Sequence, residues 1–189
     1  MRALASETER RDLTRGSGRS AIPTRTVVLE AVAKRFTVSY TQRSGRGLEI
    51  SQSSPFGLEL RGNTDNHQGC LILLRWWLQR QGRLHLVPWL ATLSRETGLA
   101  FRTIQIRGQK TRWGSCSSRG TISLNYRLLF LPPHLVRYIM VHELCHTVHL
   151  NHSTAFWTFL ATIEPACRAL DREMKQAGQL VPSWLSTPG

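Results

Sequence analysis

An α+β fold is predicted by three features of the sequence. Short segments rich in β-branched and aromatic residues lie between about residues 25 and 65. An apolar stripe at helical spacing runs from His134 to about Leu150, and a second follows Ser153. Together they predict a mixed or antiparallel sheet, a helix buried on more than one side, and a following helix that supports it.

In chain order, residues 1–24 are rich in Arg, Ser, Thr and Gly without periodicity, and a flexible basic tail is expected there. RTVVLEAVAKRFTVSY, GLEIS and FGLELRG alternate in part and predict two to four strands joined by Gly and Ser turns. After the turn-rich NTDNHQG, the segments CLILLRWWLQRQGRL and LVPWLATLSRETG have helical spacing, and Gly98 suits a helix stop. FRTIQIRG and GTISLNYRLLF read as strands flanking the loop QKTRWGSCSSRG. Pro133 suits the first turn of the next helix, HLVRYIMVHELCHTVHL, whose stripe is Leu135, Ile139, Val141, Leu144, Cys145 and Val148. The second helix is predicted from roughly Thr154 to Gln176, with Ser153 as N-cap and Pro165 kinking or splitting it. The expected organisation is one domain over residues 25–189: a β-rich part (25–65), a helical part (66–98) and a core (99–189).

With 41% hydrophobic residues and six tryptophans in 189, the chain can build a core and is not a disordered binder. Its 25 Lys and Arg against 12 Asp and Glu give a formal +13, which favours polyanions such as DNA. From Thr97 to His142 there is no acid, while Arg102, Arg107, Lys110, Arg112, Arg119, Arg127 and Arg137 all fall there. If they share a face, it is a polyanion-binding surface; scattered, they are solvated charges. Four cysteines without a CxxC pair exclude a zinc knuckle or thioredoxin-type motif. CLILLRWWL is too short for a membrane span and is interrupted by Arg75, and the N-terminus lacks a signal-peptide pattern. No membrane partner and a cytoplasmic location are therefore expected.

The stretch VHELCHTVHLNHS holds four of the seven histidines. HELCH matches H-E-x-x-H: on a helix, His142 and His146 lie on one face within reach of one ion, while Glu143 is turned aside. These are the parts of metal-assisted hydrolysis, with zinc activating a water and Glu143 as general base. On a continuous helix His149 is too far along the axis to share that ion with His142. His152 reaches it only if the helix breaks near Leu150 and the chain turns back, and Asn151 tolerates the left-handed conformation such a turn uses. The alternative third ligand is Glu164. His152 is preferred because three ligands and a water are met without the acid. His149 is expected to contact substrate or a neighbouring carbonyl, and Cys145 to fill the core.

The blocks RWGSC (Arg112–Cys116), N-x-x-L (Asn125–Leu128), HELCH (His142–His146) and NHSTAFW (Asn151–Trp157) resemble the YgjP-like metallopeptidases. The likeness covers about the C-terminal 115 residues, with Thr154 standing where proline is common. It implies a small zincin-like peptidase domain with one Zn2+ per chain, held by His142, His146 and His152, with Glu143 as base and a peptide or protein as substrate. The related WLM and SprT/Spartan-like proteases, some of which act on proteins attached to DNA, are similar around the motif. His149 stands where metzincins have glycine, so the metzincin motif is not met.

Strand 119–127 is expected as an edge along which an extended peptide pairs. Arg112, Asn125 or Tyr126 are alternative stabilisers of the developing oxyanion. Trp113 and Cys116 are expected to pack beneath the helix. Two alternatives to a zinc peptidase remain at this stage. One is a nucleic-acid-associated protein with a structural metal site, and the other is a protease recruited to DNA–protein adducts.

Overall fold

In the computed structural model, which describes residues 25–45 and 47–185, the alternating segments become four strands. The expected basic tail, residues 1–24, lies outside the described residues. β1 (Thr26–Leu29), β2 (Lys34–Gln42), β3 (Leu48–Ser54) and β4 (Gly57–Gly62) form a sheet in the order β1-β2-β4-β3. β1 and β3 run antiparallel to their neighbours, whereas β2 and β4 are parallel, so the sheet is mixed. Alternation puts Val27, Leu29, Phe36, Val38, Leu58 and Leu60 into the core.

The two helical segments expected after Asn63 are one helix, α1 (His67–Thr97). Asn66 caps it by accepting from the Gly69 N–H at 2.9 Å, and Gly98 ends it at φ 70°. Pro88 sits inside without ending it; the carbonyl it leaves without a donor is that of Leu84, a residue 60% exposed, where water can replace the bond. The buried residues Cys70, Leu74, Trp77, Leu78, Gln81, Leu86, Leu90 and Leu93 follow the helical period and carry the core from one sheet to the next. At Gly82 a Cβ would meet Ile106 Cγ2 at 2.8 Å, so glycine lets α1 approach the second sheet closely.

That second sheet consists of β5 (Thr103–Arg107), β6 (Gly114–Cys116) and β7 (Thr121–Asn125), in the order β5-β7-β6. β7 is parallel to β5 and antiparallel to β6. Three expectations are corrected here. β7 is central, so strand 119–127 is not an edge; the edges are β5 and β6, and β6 lies inside the segment expected to be a loop. The run YRLLF is not strand but a 3-10 helix (Tyr126–Phe130), started by Asn125 Oδ1 accepting from the Arg127 N–H at 3.0 Å.

α2 (Pro133–Cys145) opens with proline in its first turn, as expected, and buries nine of its 13 residues, leaving His134 and Arg137 partly exposed. It ends at Cys145, five residues before the expected stop near Leu150. Ser153 then caps α3 (Thr154–Ile163), accepting from the Phe156 N–H at 3.4 Å. The second predicted helix is split around Pro165, and α4 (Cys167–Met174) follows. The fold is thus α+β, with α2 against β6 and the α3–α4 pair on its other side. Among the described residues no helix is long and apolar enough to cross a membrane.

Candidate metal centre

The last turn of α2 and the reversal after it build the site. His142 lies within α2, while His146 occupies its C-terminal cap, its N–H reaching the His142 carbonyl at 3.3 Å. The next N–H groups close the helix end: Thr147 donates to the Leu144 carbonyl at 3.0 Å, and His149 to the Cys145 carbonyl at 3.0 Å. The turn back does not use a left-handed Asn151, because Ala33 is the only non-glycine residue with positive φ among those described. Instead Asn151 Oδ1 accepts from the Ser153 N–H at 3.2 Å, a side-chain turn that points His152 back at α2.

The Nε2 atoms of His142, His146 and His152 converge, at 2.8 Å (142–152), 3.2 Å (142–146) and 3.1 Å (146–152). Three nitrogens bound tetrahedrally to one ion at about 2.0–2.1 Å lie roughly 3.3 Å apart, close to these distances. Three imidazoles cannot satisfy one another in such a triangle, since each neutral ring offers only one N–H. His146 Nδ1 spends its own on the His149 carbonyl, at 2.8 Å, which leaves the Nε2 lone pair facing the other rings. A cation resolves the conflict. Among the described residues these three form the one group of His, Cys, Asp or Glu side chains arranged to hold a metal, and no fourth side chain joins them. Three side-chain ligands are one fewer than the four that close a structural zinc site, and all three line the cleft described below.

Burial also favours the neutral form of two of the rings, His142 and His146. It pushes the His142 pKa down to about 3, with His146 and His152 adding to the effect. His146 is lowered by burial as well, against the opposing pull of the His149 carbonyl. Phe156 lies under all three imidazoles: stacked on His146 at 4.5 Å between centroids, and edge-on to His142 and His152 at 4.9 Å. Trp157 flanks His142 and His152 and carries the Arg168 guanidinium over its ring at 3.8 Å.

Glu143 faces a cleft of about 600 Å³ that it shares with the three histidines, Arg112, Trp113 and the β6 residues Gly114, Ser115 and Cys116. It is only 5% exposed, and its Oε2 is buried with no hydrogen-bond partner among the described residues. Burial raises its pKa to about 8, against a smaller lowering by the Arg112 charge. A carboxyl group whose pKa lies close to neutrality can both take up and give back a proton. Cys116, on the same wall, stays a thiol: burial and the Glu143 charge push it up to about 11.

The other sequence candidates lie apart. Glu164 pairs with Arg137 and is not in the imidazole group. His149 turns its ring onto Phe159, at 5.3 Å, and contributes its backbone carbonyl to His146. Asn125 does not face the cleft. Both amide hydrogens of its side chain are spent on the Gln109 and Arg112 carbonyls, at 2.7 and 2.8 Å, so it tethers the loop that carries Arg112. Tyr126 is buried against Gly82 and Gly108, also away from the cleft. Of the three oxyanion alternatives only Arg112 lines it.

Two site residues were not singled out from the sequence. Phe156 counted only as part of an apolar stripe and of the NHSTAFW block. Gly114 counted only as part of RWGSC, yet a Cβ there would fall 2.7 Å from Glu143 Oε1 and 2.8 Å from its Cγ. The basic residues of the acid-free stretch do not act as one set. Arg137 is paired and Arg107 bonds Gln105, whereas Lys110, Arg112 and Arg127 meet at a single pocket.

A family model described as YgjP-like, metallopeptidase domain, matches residues 7–177, which reaches well beyond the four sequence blocks. Among solved structures, the chain is similar to the metallopeptidase zymogen abylysin of Pyrococcus abyssi. That likeness has 28% identity and a TM-score of 0.41, and covers 46% of this chain and 90% of that one. No curated protein matches the chain.

Proposed function

The chain belongs to the YgjP-like metallopeptidase family, and from that premise we propose that it is a zinc peptidase using His142, His146 and His152 as ligands and Glu143 as general base. The observation that carries this reading is the convergence of three Nε2 atoms within 3.2 Å of one another beside a buried, uncommitted carboxylate. When bound there, zinc supplies Lewis acidity, lowering the pKa of a water and polarising a carbonyl.

The protein's residues supply the rest. His146 is oriented by the His149 carbonyl, and Phe156 holds the three rings in register. β6 offers the free edge of its sheet along the cleft, so an extended peptide can pair with Gly114–Cys116 and bring its scissile carbonyl over the histidines. The Glu143 carboxylate takes the proton of the attacking water and delivers it to the leaving amine. The Arg112 guanidinium, at the head of β6, is the cleft's cationic candidate for stabilising the developing oxyanion.

The test is reconstitution. Protein stripped with a chelator should cleave no unfolded protein substrate, and one equivalent of zinc should restore cleavage. Cleavage that persists in the stripped protein would overturn the proposal.

A further inference from the structure

A second, smaller pocket of about 220 Å³ adjoins the cleft at Arg112 and Trp113. The two cavities share Arg112, Trp113, Met174 and Lys175 as walls. Four cationic side chains line the smaller one, Lys110, Arg112, Arg127 and Lys175, and no carboxylate among the described residues does. None of the four forms an ion pair among the described residues. Nor is the arrangement a loose surface scatter. Asn125 ties down the Gln109 and Arg112 carbonyls and so fixes the loop that carries Lys110 and Arg112. The Arg127 guanidinium is held by a 2.7 Å bond to the Leu185 carbonyl, while its Nε is buried without an acceptor. Like charges gathered around a small cavity repel one another, and one anion among them relieves that repulsion.

We propose that this pocket is a specificity subsite that takes a carboxylate of the peptide substrate, at the Arg112 end of β6. The inference rests on the peptidase reading above. A carboxylate follows from adjacency: the small pocket shares its Arg112 wall with the cleft, and the anions that a peptide along β6 can offer there are an acidic side chain or the terminal carboxylate. The enzyme therefore prefers peptides with an acidic group at one fixed distance from the scissile bond.

The first arm of the test profiles cleavage of a mixed peptide library by the wild type and by Lys110→Glu, since Lys110 lines the small pocket and not the cleft. The ratio of kcat/KM for an acidic peptide over its Gln counterpart should be at least about 10 in the wild type and fall to about 1 in the variant. Amidating the C-terminus distinguishes a terminal carboxylate from a side chain. Library cleavage without acidic enrichment overturns the subsite and leaves the peptidase reading intact.

The second arm needs no turnover. A labelled hexaglutamate peptide should bind the Glu143→Gln protein at least about 10-fold more tightly than its hexaglutamine analogue, and Lys110→Glu should remove the difference. If neither the library nor any peptide is cleaved, the peptidase reading fails while this arm still reads the pocket. Single-stranded DNA that binds through Lys110 when hexaglutamate does not would overturn the carboxylate assignment.

Discussion

Gly114→Ala offers the sharpest perturbation of the site, because it places one methyl group where the Glu143 side chain already lies. The added Cβ would sit 2.7 Å from Oε1, 2.8 Å from Cγ and 2.9 Å from Cδ, against an ordinary contact of 3.4 Å or more. The carboxylate must therefore retreat by about 0.5–0.7 Å. Neither backbone can give way easily. Gly114 is paired with Leu124 in the sheet, and the Trp113 carbonyl accepts from the Asn125 N–H at 2.8 Å. On the other side, Val141, Leu144 and Cys145 of α2 are fully buried. The displacement therefore falls on the Glu143 torsions.

A misplacement of about 1 Å can cost on the order of 100-fold in rate, so Gly114→Ala should lower kcat/KM by about 10- to 100-fold. Bound zinc should not change, because the three imidazoles are held by α2, the turn after it and Phe156. Peptide cleavage, zinc content and a thermal melt of the same preparation measure all three. Adding Gly114→Ala to Glu143→Gln should lower the residual rate no further, since the glycine acts through that carboxylate. Full activity in the single variant, or loss of zinc parallel to loss of activity, would refute the reasoning.

Further predictions follow from the same geometry. His152→Ala should weaken zinc binding by at least about 10-fold, whereas His149→Ala, which keeps its backbone carbonyl, should leave it within about 2-fold; competition with a chelating dye measures both. Phe156→Ala removes the ring beneath the ligands and should cost about 3–5 kcal/mol of stability in urea unfolding, with weaker zinc binding. Phe156→Leu, milder in the core, tests whether the zinc effect survives without unfolding. In the metal-free protein, Glu143 has a pKa raised from its ordinary 4.5 to about 8, so its neutral form is favoured by folding. Its contribution is fully present below pH 4.5 and is lost as pH rises through about 8, on the order of 3–5 kcal/mol in all. Metal-free wild type should therefore weaken across that window relative to Glu143→Gln. Parallel stability–pH curves for the two proteins would contradict the burial argument.

Local chemistry was legible in the sequence wherever one residue decides the backbone. Pro133 opened a helix, Ser153 capped one, Pro165 split one and Gly98 ended one, each through a constraint on φ or a lost or gained hydrogen bond. The i, i+4 pair of HELCH was legible for the same reason, since helical geometry brings His142 and His146 together without help from the rest of the chain. What failed depended on partners. β6 is three residues long and contains a glycine, so it shows no alternation; it is a strand only because β7 pairs with it.

The apolar run YRLLF looks like a strand because all but Arg127 are buried, and burial alone carries no period. α2 stops before its stripe does: Val148, counted in that stripe, is 54% exposed on the turn. His152 does return to the site, but through an Asx-type bond to the Ser153 N–H rather than a left-handed Asn151. Asn125 looked like a polar group awaiting a substrate, and both of its donors proved to be committed sixteen and thirteen residues away in sequence. Contacts of that range leave no mark on either segment by itself.

The central claim is that three histidines hold a catalytic zinc while Glu143 handles the proton. Metal analysis and peptide cleavage of Glu143→Gln beside the wild type test it together. One zinc per chain is expected in both proteins, with cleavage at least about 1,000-fold slower in the variant. Undiminished cleavage in Glu143→Gln, or a variant that has lost its zinc, would contradict the assignment.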